Sequence, residues 1–528
     1  MIRVQALSWL CSSPRLVIGH FRLSVVLLLK REAWRGLSNT NFMRFLAGSL
    51  LSCALVSAVT AVQLDLIGRR VGYSSLYRRD DAGQFGNGSH ALSNNADILY
   101  FTNITVGGRQ FTVVIDTGSS DLWVSGDVPG ALNLTNPAIV TLPFAKGQVN
   151  GFINTVEVQY DGFTIQDQAF INAFDVEDIG LQIDGIIGLG PSANSNLKRK
   201  VGGDPRADPP LDRIFQENPN TPNFMTLLLS RNTTLEGTSV HTWPAQLAIG
   251  AVAPGLESIQ GMPKLPALVD QFGIQHWQTL LDENGIAVNG QRISTKTSIQ
   301  NPTAGTPNQI HVALDSGFSI AQVPKYVADA MYSDVPGAKF IQDGATELGQ
   351  AFAGIVNFWC LPCEAEVNVS FFFGGNEYPV SPLDLNVPVG KDPNGQEVCI
   401  AYYQQISDSL LQNQADFGAF DMILGPAFLR NVYTLINFGN FVGGSTSNVA
   451  PPFIQLLSIA DKNQMHQDFV SARLNGGQNG GQSPTDNASP ADPGSGSSSH
   501  DDNGSPSHLP GILGLSLGLS VLVYMLGF

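Results

Sequence analysis

Val113-Val114-Ile115-Asp116-Thr117-Gly118-Ser119-Ser120 and Val312-Ala313-Leu314-Asp315-Ser316-Gly317-Phe318-Ser319 are two versions of one phrase. In each, an apolar run of strand character meets Asp, then a hydroxyl residue, then Gly. A second echo follows each copy: Asp184-Gly185-Ile186-Ile187-Gly188 after the first and Asp421-Met422-Ile423-Leu424-Gly425 after the second. The order is the same in both halves of the chain, which points to an internal duplication and to two lobes built on one plan.

The rest of the body agrees with a β-rich reading. Runs such as FTVVI, TVEVQY, FTIQDQAFI, AQLAIGAV and VNVSFFF are broken by Gly, Asn, Asp and Pro. Helical periodicity is brief, as around Lys325 to Met331. The fold class expected is all-β and bilobal, with a cleft between two related lobes. The 528 residues would allow three domains at roughly 150 residues each. The duplication reduces that allowance to one two-lobed body with tails.

An acid at the end of a buried strand, followed by Gly so that the chain can turn sharply, is presented at a cleft floor. Two such ends facing each other put two carboxylates in contact. They cannot both ionise cheaply, so one keeps a proton while the other acts as a base. A water between them can then attack a peptide carbonyl while the protonated partner donates to the carbonyl oxygen. The Thr117 and Ser316 hydroxyls are placed to hydrogen-bond across the lobes.

Asp116-Thr117-Gly118-Ser119-Ser120-Asp121-Leu122-Trp123-Val124 resembles the first active-site motif of the pepsin-like aspartic proteases. The resemblance spans roughly residues 92–460 and includes Tyr100-Phe101 through Gly107, Ile183 through Gly190, His276-Trp277-Gln278 and Ile423 through Asn437. Proton sharing between two carboxylates is that family's established behaviour. The resemblance implies an aspartic-type endopeptidase with Asp116 and Asp315 as the catalytic pair. Thr117, Gly118, Ser119, Ser316 and Gly317 would support it, and Phe144, Gly147, Trp123 and Phe318 would belong to the flap and substrate cleft. No metal or cofactor is expected, peptides or proteins are the expected substrates, and a monomer is the expected state.

The body departs from the family at three places. Ser316 stands where Thr is usual, which keeps the hydroxyl. Phe318 stands where a Thr or Ser normally hydrogen-bonds the second Asp, so Asp315 is expected to bind its proton more tightly. Phe144, in a flap expected over Pro143 to Ile153, stands where the family has a Tyr that bonds the Trp matching Trp123; the apolar lid remains and the polar latch is lost. These changes motivate the competing reading, a catalytically impaired pepsin fold serving as a cell-surface binding or structural glycoprotein. A two-carboxylate glycosidase explains neither the repeat nor the hydroxyl neighbours.

The ends read as addresses. Residues 1–61 comprise an upstream extension and a secretory signal of about 43–61, with a basic start, an apolar run and small residues ending at Ala61. Residues 62–79 read as a short propeptide carrying two dibasic pairs, Arg69-Arg70 and Arg78-Arg79. The N-terminal lobe is expected over 80–253 and the C-terminal lobe over 254–462. Residues 463–508 read as a Ser/Gly/Pro-rich stalk with too little to bury. Residues 509–528 read as the hydrophobic tail of a glycosylphosphatidylinositol (GPI) attachment signal, with Ser497 as the modified residue. Sequons at Asn87, Asn103, Asn133, Asn232, Asn368, Asn487 and Asn503 fit export and glycosylation. With these ends the chain is similar to fungal surface members of the yapsin type, extracellular and lipid-anchored.

Charge and cysteine use fit the same picture. Lys and Arg number 28 against 44 Asp and Glu, and 11 of the basic residues lie before residue 80. Residues 80–528 carry 17 basic and 42 acidic side chains. Nucleic acid, which needs concentrated Lys and Arg, is excluded as a partner. Beyond the leader three cysteines remain, enough for one bridge and one leftover, and Cys360-x-x-Cys363 has no second pair for zinc. The resemblance places the bridge at Cys363 and Cys399, matching the family's C-terminal-lobe disulfide.

Overall fold

The computed structural model describes the backbone of residues 62–65 and 67–69. It also describes residues 99–474 except 136–138, 145–146, 161, 178–182, 232–244, 350–351, 353–355, 393 and 440–450. The signal, most of the propeptide with Arg70, Arg78 and Arg79, the sequons at Asn87, Asn232, Asn487 and Asn503, Ser497 and the apolar tail lie outside the described residues.

The all-β expectation holds. Each half of the chain builds its site from the same four-strand arrangement. In the first, strand Arg109–Asp116 lies parallel to Gly185–Gly188, with Gly188 beside Asp116. Gly185–Gly188 pairs antiparallel with Leu122–Ser125, which runs parallel to Phe163–Glu177. In the second, His311–Leu314 lies parallel to Met422–Leu424, that strand pairs with Ala321–Val323, and Ala321–Val323 runs parallel to Tyr403–Gln405. The relation is the same down to the direction of each pairing.

The second echo explains why these strands stay in register. Asp184 Oδ2 accepts the amide of Thr112 at 2.9 Å, and Asp421 Oδ2 accepts the amide of His311 at 2.9 Å. Thr112 and His311 each stand four residues before the motif aspartate. Gly185 and Gly188 allow close approach to the antiparallel neighbour, since a Cβ on Gly185 would meet Trp123 O at 2.1 Å and one on Gly188 the Asp121 amide at 2.5 Å.

A six-stranded sheet joins the halves. Its order is Val62–Asp65, Gln246–Ile249, Phe224–Leu228, Val432–Asn437, Phe453–Ser458 and Leu265–Pro266. Phe224–Leu228 and Val432–Asn437, far apart in sequence, are its central pair. Val62–Asp65 and Ile67–Arg69, inside the expected propeptide, pair with Gln246–Ile249 and with Leu99–Phe101.

Beside this sheet, Asp384 is fully buried and gathers donors from Arg231, Arg430 and Asn431. Arg430 Nε donates at 2.8 Å and Nη2 at 2.6 Å, Asn431 Nδ2 donates at 2.9 Å, and Arg231 bonds both carboxylate oxygens. Burial works against ionisation of Asp384, but the Arg231 and Arg430 charges outweigh it and hold the carboxyl below its usual range.

Two expectations meet the structure differently. Cys363 and Cys399 form the disulfide, with Cα atoms 5.2 Å apart, and Cys360 is free and buried. The stalk boundary at 463 is corrected. Asp461 caps helix Lys462–Phe469 by accepting the Gln464 amide, and Phe469 is buried against Leu383. A face carrying Met465 and Phe469 in a polar stretch was hidden by its composition, so the folded body runs on to Leu474. No helix among the described residues is long and apolar enough to cross a membrane.

Candidate active site

The two motif aspartates meet where the strands of the two halves end. Each carboxylate accepts the amide two residues ahead: Gly118 N–H to Asp116 Oδ1 at 2.9 Å and Gly317 N–H to Asp315 Oδ1 at 2.8 Å. Both glycines are obligatory for a steric reason. A Cβ on Gly118 would collide with the Asp315 carboxyl, and one on Gly317 would lie 2.6 Å from Asp116 Oδ1. Each turn therefore packs its bare backbone against the opposite carboxylate.

The hydroxyls expected to bridge the halves do so reciprocally. Ser316 N–H donates to Thr117 Oγ1 at 2.8 Å, and Thr117 Oγ1 donates to Leu314 O at 2.9 Å. In the mirror arrangement, Thr117 N–H donates to Ser316 Oγ at 3.1 Å and Ser316 Oγ donates to Ile115 O at 3.0 Å. Four buried hydrogen bonds thus lock the two strand ends, and the Ser316 departure costs none of them.

The pair is asymmetric. Ser119 Oγ donates to Asp116 Oδ2, while the equivalent residue in the other half, Phe318, offers no hydroxyl. Phe318 instead packs on the apolar cluster of Ala313, Ile406, Leu410, Phe420 and Ile423. Burial, then the neighbouring Asp116 charge, push the Asp315 carboxyl well above the usual carboxylate range, while the amides of Gly317 and Phe318 oppose the shift. The direction matches the expectation from sequence, but its main cause is desolvation rather than the missing hydroxyl.

The flap forms as hairpin Ile139–Pro143 with Gln148–Tyr160, turning at Phe144 to Gly147, where the Phe144 amide donates to Gly147 O at 3.0 Å and Gly147 adopts φ 76°. Phe144 packs on the apolar cluster containing Trp123. Trp123 is fully buried, and its Nε1 has no hydrogen-bond partner among the described residues. The lost latch is therefore visible as an orphaned donor. A Phe144→Tyr variant that restores an acceptor is expected to gain about 1 kcal/mol of stability, the ordinary net value of one such bond. It should also raise kcat/KM a few-fold by steadying the flap. Unfolding in urea and peptide turnover measure the two effects; no change in either shows that the two side chains do not meet.

For several residues that matter here no sequence pattern indicated their partners. Asp121 is buried and accepts from Ser195 Oγ at 2.5 Å and from the Asn196 amide at 2.8 Å, fixing the segment that carries Asn194. Burial pushes Asp121 up to about 6, against those hydrogen bonds. Trp277 Nε1 donates to Leu189 O at 2.8 Å. The sequons at Asn103, Asn133 and Asn368 lie on exposed positions, although Asn103 Oδ1 accepts from Thr112 Oγ1.

The family model for eukaryotic aspartyl protease matches residues 99–129 and 131–445 of this chain. The chain belongs to the eukaryotic aspartyl protease family. It is 23% identical to Major aspartyl peptidase 1 of Cryptococcus neoformans var. grubii over 67% of this chain and 71% of that protein. Aspartic-type endopeptidase ctsD of Aspergillus fumigatus is 24% identical over 67% of each chain. Cathepsin E of Cavia porcellus is 24% identical over 68% of this aspartyl protease and 84% of its own length.

Proposed function

We propose that this aspartyl protease is an endopeptidase that cleaves proteins at acid pH through a water held between Asp116 and Asp315. The observation that carries the reading is the reciprocal packing of the two carboxylates, each against the other's Gly turn, with burial pushing Asp315 well above the usual carboxylate range.

In this mechanism Asp116, the acceptor of the Ser119 hydroxyl and the Gly118 amide, takes a proton from the water as its oxygen attacks the scissile carbonyl carbon. Asp315, protonated, donates to the carbonyl oxygen, and a tetrahedral gem-diol forms. Its collapse breaks the C–N bond, with the proton held by Asp116 passing to the leaving amine. Asp315 recovers its proton as the new carboxyl forms. The Thr117–Ser316 lattice keeps the carboxylates from drifting apart as charge moves between them.

The remainder of the reading concerns place. A signal over about residues 43–61, exposed sequons, a disulfide and an apolar C-terminal tail support an exported glycoprotein tethered at the cell surface by a GPI anchor. The test of activity is turnover of peptides carrying Lys or Arg and of apolar peptides across pH 3 to 7, with and without a pepstatin-type inhibitor. Inhibitor-sensitive cleavage confined to the acid side is expected. A purified protein that neither cleaves nor binds the inhibitor would favour the impaired, binding-protein reading, for which the orphaned Trp123 donor speaks.

A further inference from the structure

His276 and Asn194 meet at the carbonyl of Gly118, the residue whose bare backbone packs on Asp315. His276 Nδ1 lies 3.1 Å from Gly118 O, and Asn194 Nδ2 donates to the same oxygen at 3.1 Å. Asn194 Nδ2 also lies 3.3 Å from His276 Nδ1. The far ring nitrogen, Nε2, lies 2.6 Å from Phe417 O, in the second half. The ring is held in place by an edge-on contact with Phe420 and by Gly418, whose Cα leaves no room for a side chain against the imidazole.

We propose that His276 is a positioning residue for the carboxylate pair, and that its proton decides which side chain holds the Gly118 carbonyl. In the neutral ring, Nε2–H donates to Phe417 O and Nδ1 is bare. Asn194 then uses its two hydrogens on Nδ1 and on Gly118 O. In the protonated ring both nitrogens donate, Nδ1–H to Gly118 O and Nε2–H to Phe417 O, so one rigid ring ties the Gly118 turn to the Phe417 turn. The inference rests on the proteolytic reading for its consequence, a better-fixed pair in acid, but not for the proton-dependent clasp itself.

The charges around the ring are consistent with titration on the acid side. Burial disfavours the imidazolium and lowers its proton affinity, while the acceptor carbonyls of Phe417 and Gly118 and the charges of Asp270 and Asp116 oppose that. Asp270 stands on His276's own turn, where it accepts from the Phe272, Ile274 and Ala419 amides. Asp315 lies behind Gly118, and Asp416 is exposed beside Phe417. On the Asn194 segment, Lys198 pairs with Asp208, and Arg199 donates to Asn196 Oδ1 and to Ala193 O.

The experiment follows the His276 ring proton by NMR as pH falls, identified by its loss in His276→Gln. The expected midpoint lies below that of a solvated imidazole, and in Asn194→Ala it shifts upward, because the neutral ring alone depends on that amide. In peptide turnover, His276→Gln is expected to lose about tenfold in kcat with KM within about twofold, and to lose one ionisation from the alkaline side of the pH profile. A midpoint unmoved by Asn194→Ala, or a His276→Gln enzyme with the wild-type pH profile and kcat, overturns the proposal. If the wild type cleaves nothing, the proteolytic reading fails, and the NMR titration still decides the clasp.

Discussion

Asp116→Asn protein is expected to cleave peptides at least about a thousandfold more slowly than wild type at every pH, because a positioned general base is worth roughly 10² to 10⁴ in rate and the same group also returns the proton to the leaving amine. The fold should survive. Asn is the same size, its Oδ1 still accepts from Gly118 N–H, its Nδ2 can donate to Ser119 Oγ in place of accepting from it, and the change relieves the like-charge contact that raises Asp315. Near-unchanged unfolding with near-zero turnover is the pattern that assigns the loss to chemistry. A variant that turns over at the wild-type rate removes Asp116 from the mechanism, and with it the proposed function.

Stability should be greater at about pH 4 than at about pH 8, the reverse of a protein whose carboxylates are mostly ion-paired. Three buried acids lead to this expectation. Asp315 is held well above the usual range by burial and then by Asp116. Asp121 is pushed up to about 6 by burial. Asp212, on helix Pro210–Glu217, is pushed up to about 7 by burial and then by the charge of Asp208, against Lys198.

The sign follows directly from proton binding. Raised folded-state values mean that the native protein holds protons which the unfolded chain, titrating near 3.8, has already released. Stability from these groups is complete below about pH 4 and is lost as pH rises through 6 and 7. At about 1.4 kcal/mol for each tenfold gain in proton affinity on folding, Asp121 accounts for roughly 3 kcal/mol and Asp212 for roughly 4. Carboxylates with lowered values at least partly open to solvent, such as half-buried Asp204 and exposed Glu377, act the other way, but solvent screens them. The buried Asp384 cluster sets the lower limit: its lowered value makes its contribution vanish only as pH falls through it, below the usual carboxylate range.

Urea unfolding at fixed ionic strength across that window measures the effect. Asp212→Asn is expected to flatten the curve by stabilising the protein on the neutral side alone. Stability that climbs steadily from acid to neutral pH would contradict the argument. The acidic composition of residues 80–528 fits the same picture, since a chain with 42 carboxylates and 17 basic groups repels itself less when many of its acids are protonated.

The sequence by itself determined the duplication, the identity of the two carboxylates and the hydroxyls that bridge them; the disulfide partners came from the family resemblance. These are local features: an aspartate at a strand end with Gly two residues on can be read from a few neighbouring letters. It also showed Phe144 and Phe318 as departures, because a fixed motif makes a missing hydroxyl legible. The tertiary structure decided what those departures do. It left Trp123 Nε1 without an acceptor among the described residues, and it made burial rather than the absent hydroxyl the main cause of the high proton affinity of Asp315. It also chose the partners of Asn194, His276 and Asp384. Asn194 reaches Gly118 across 76 residues, His276 reaches Phe417 across 141, and Arg231 reaches Asp384 across 153. Side chains with so many possible partners acquire a role only when the sheets bring distant turns together, and no local pattern encodes which turns those are.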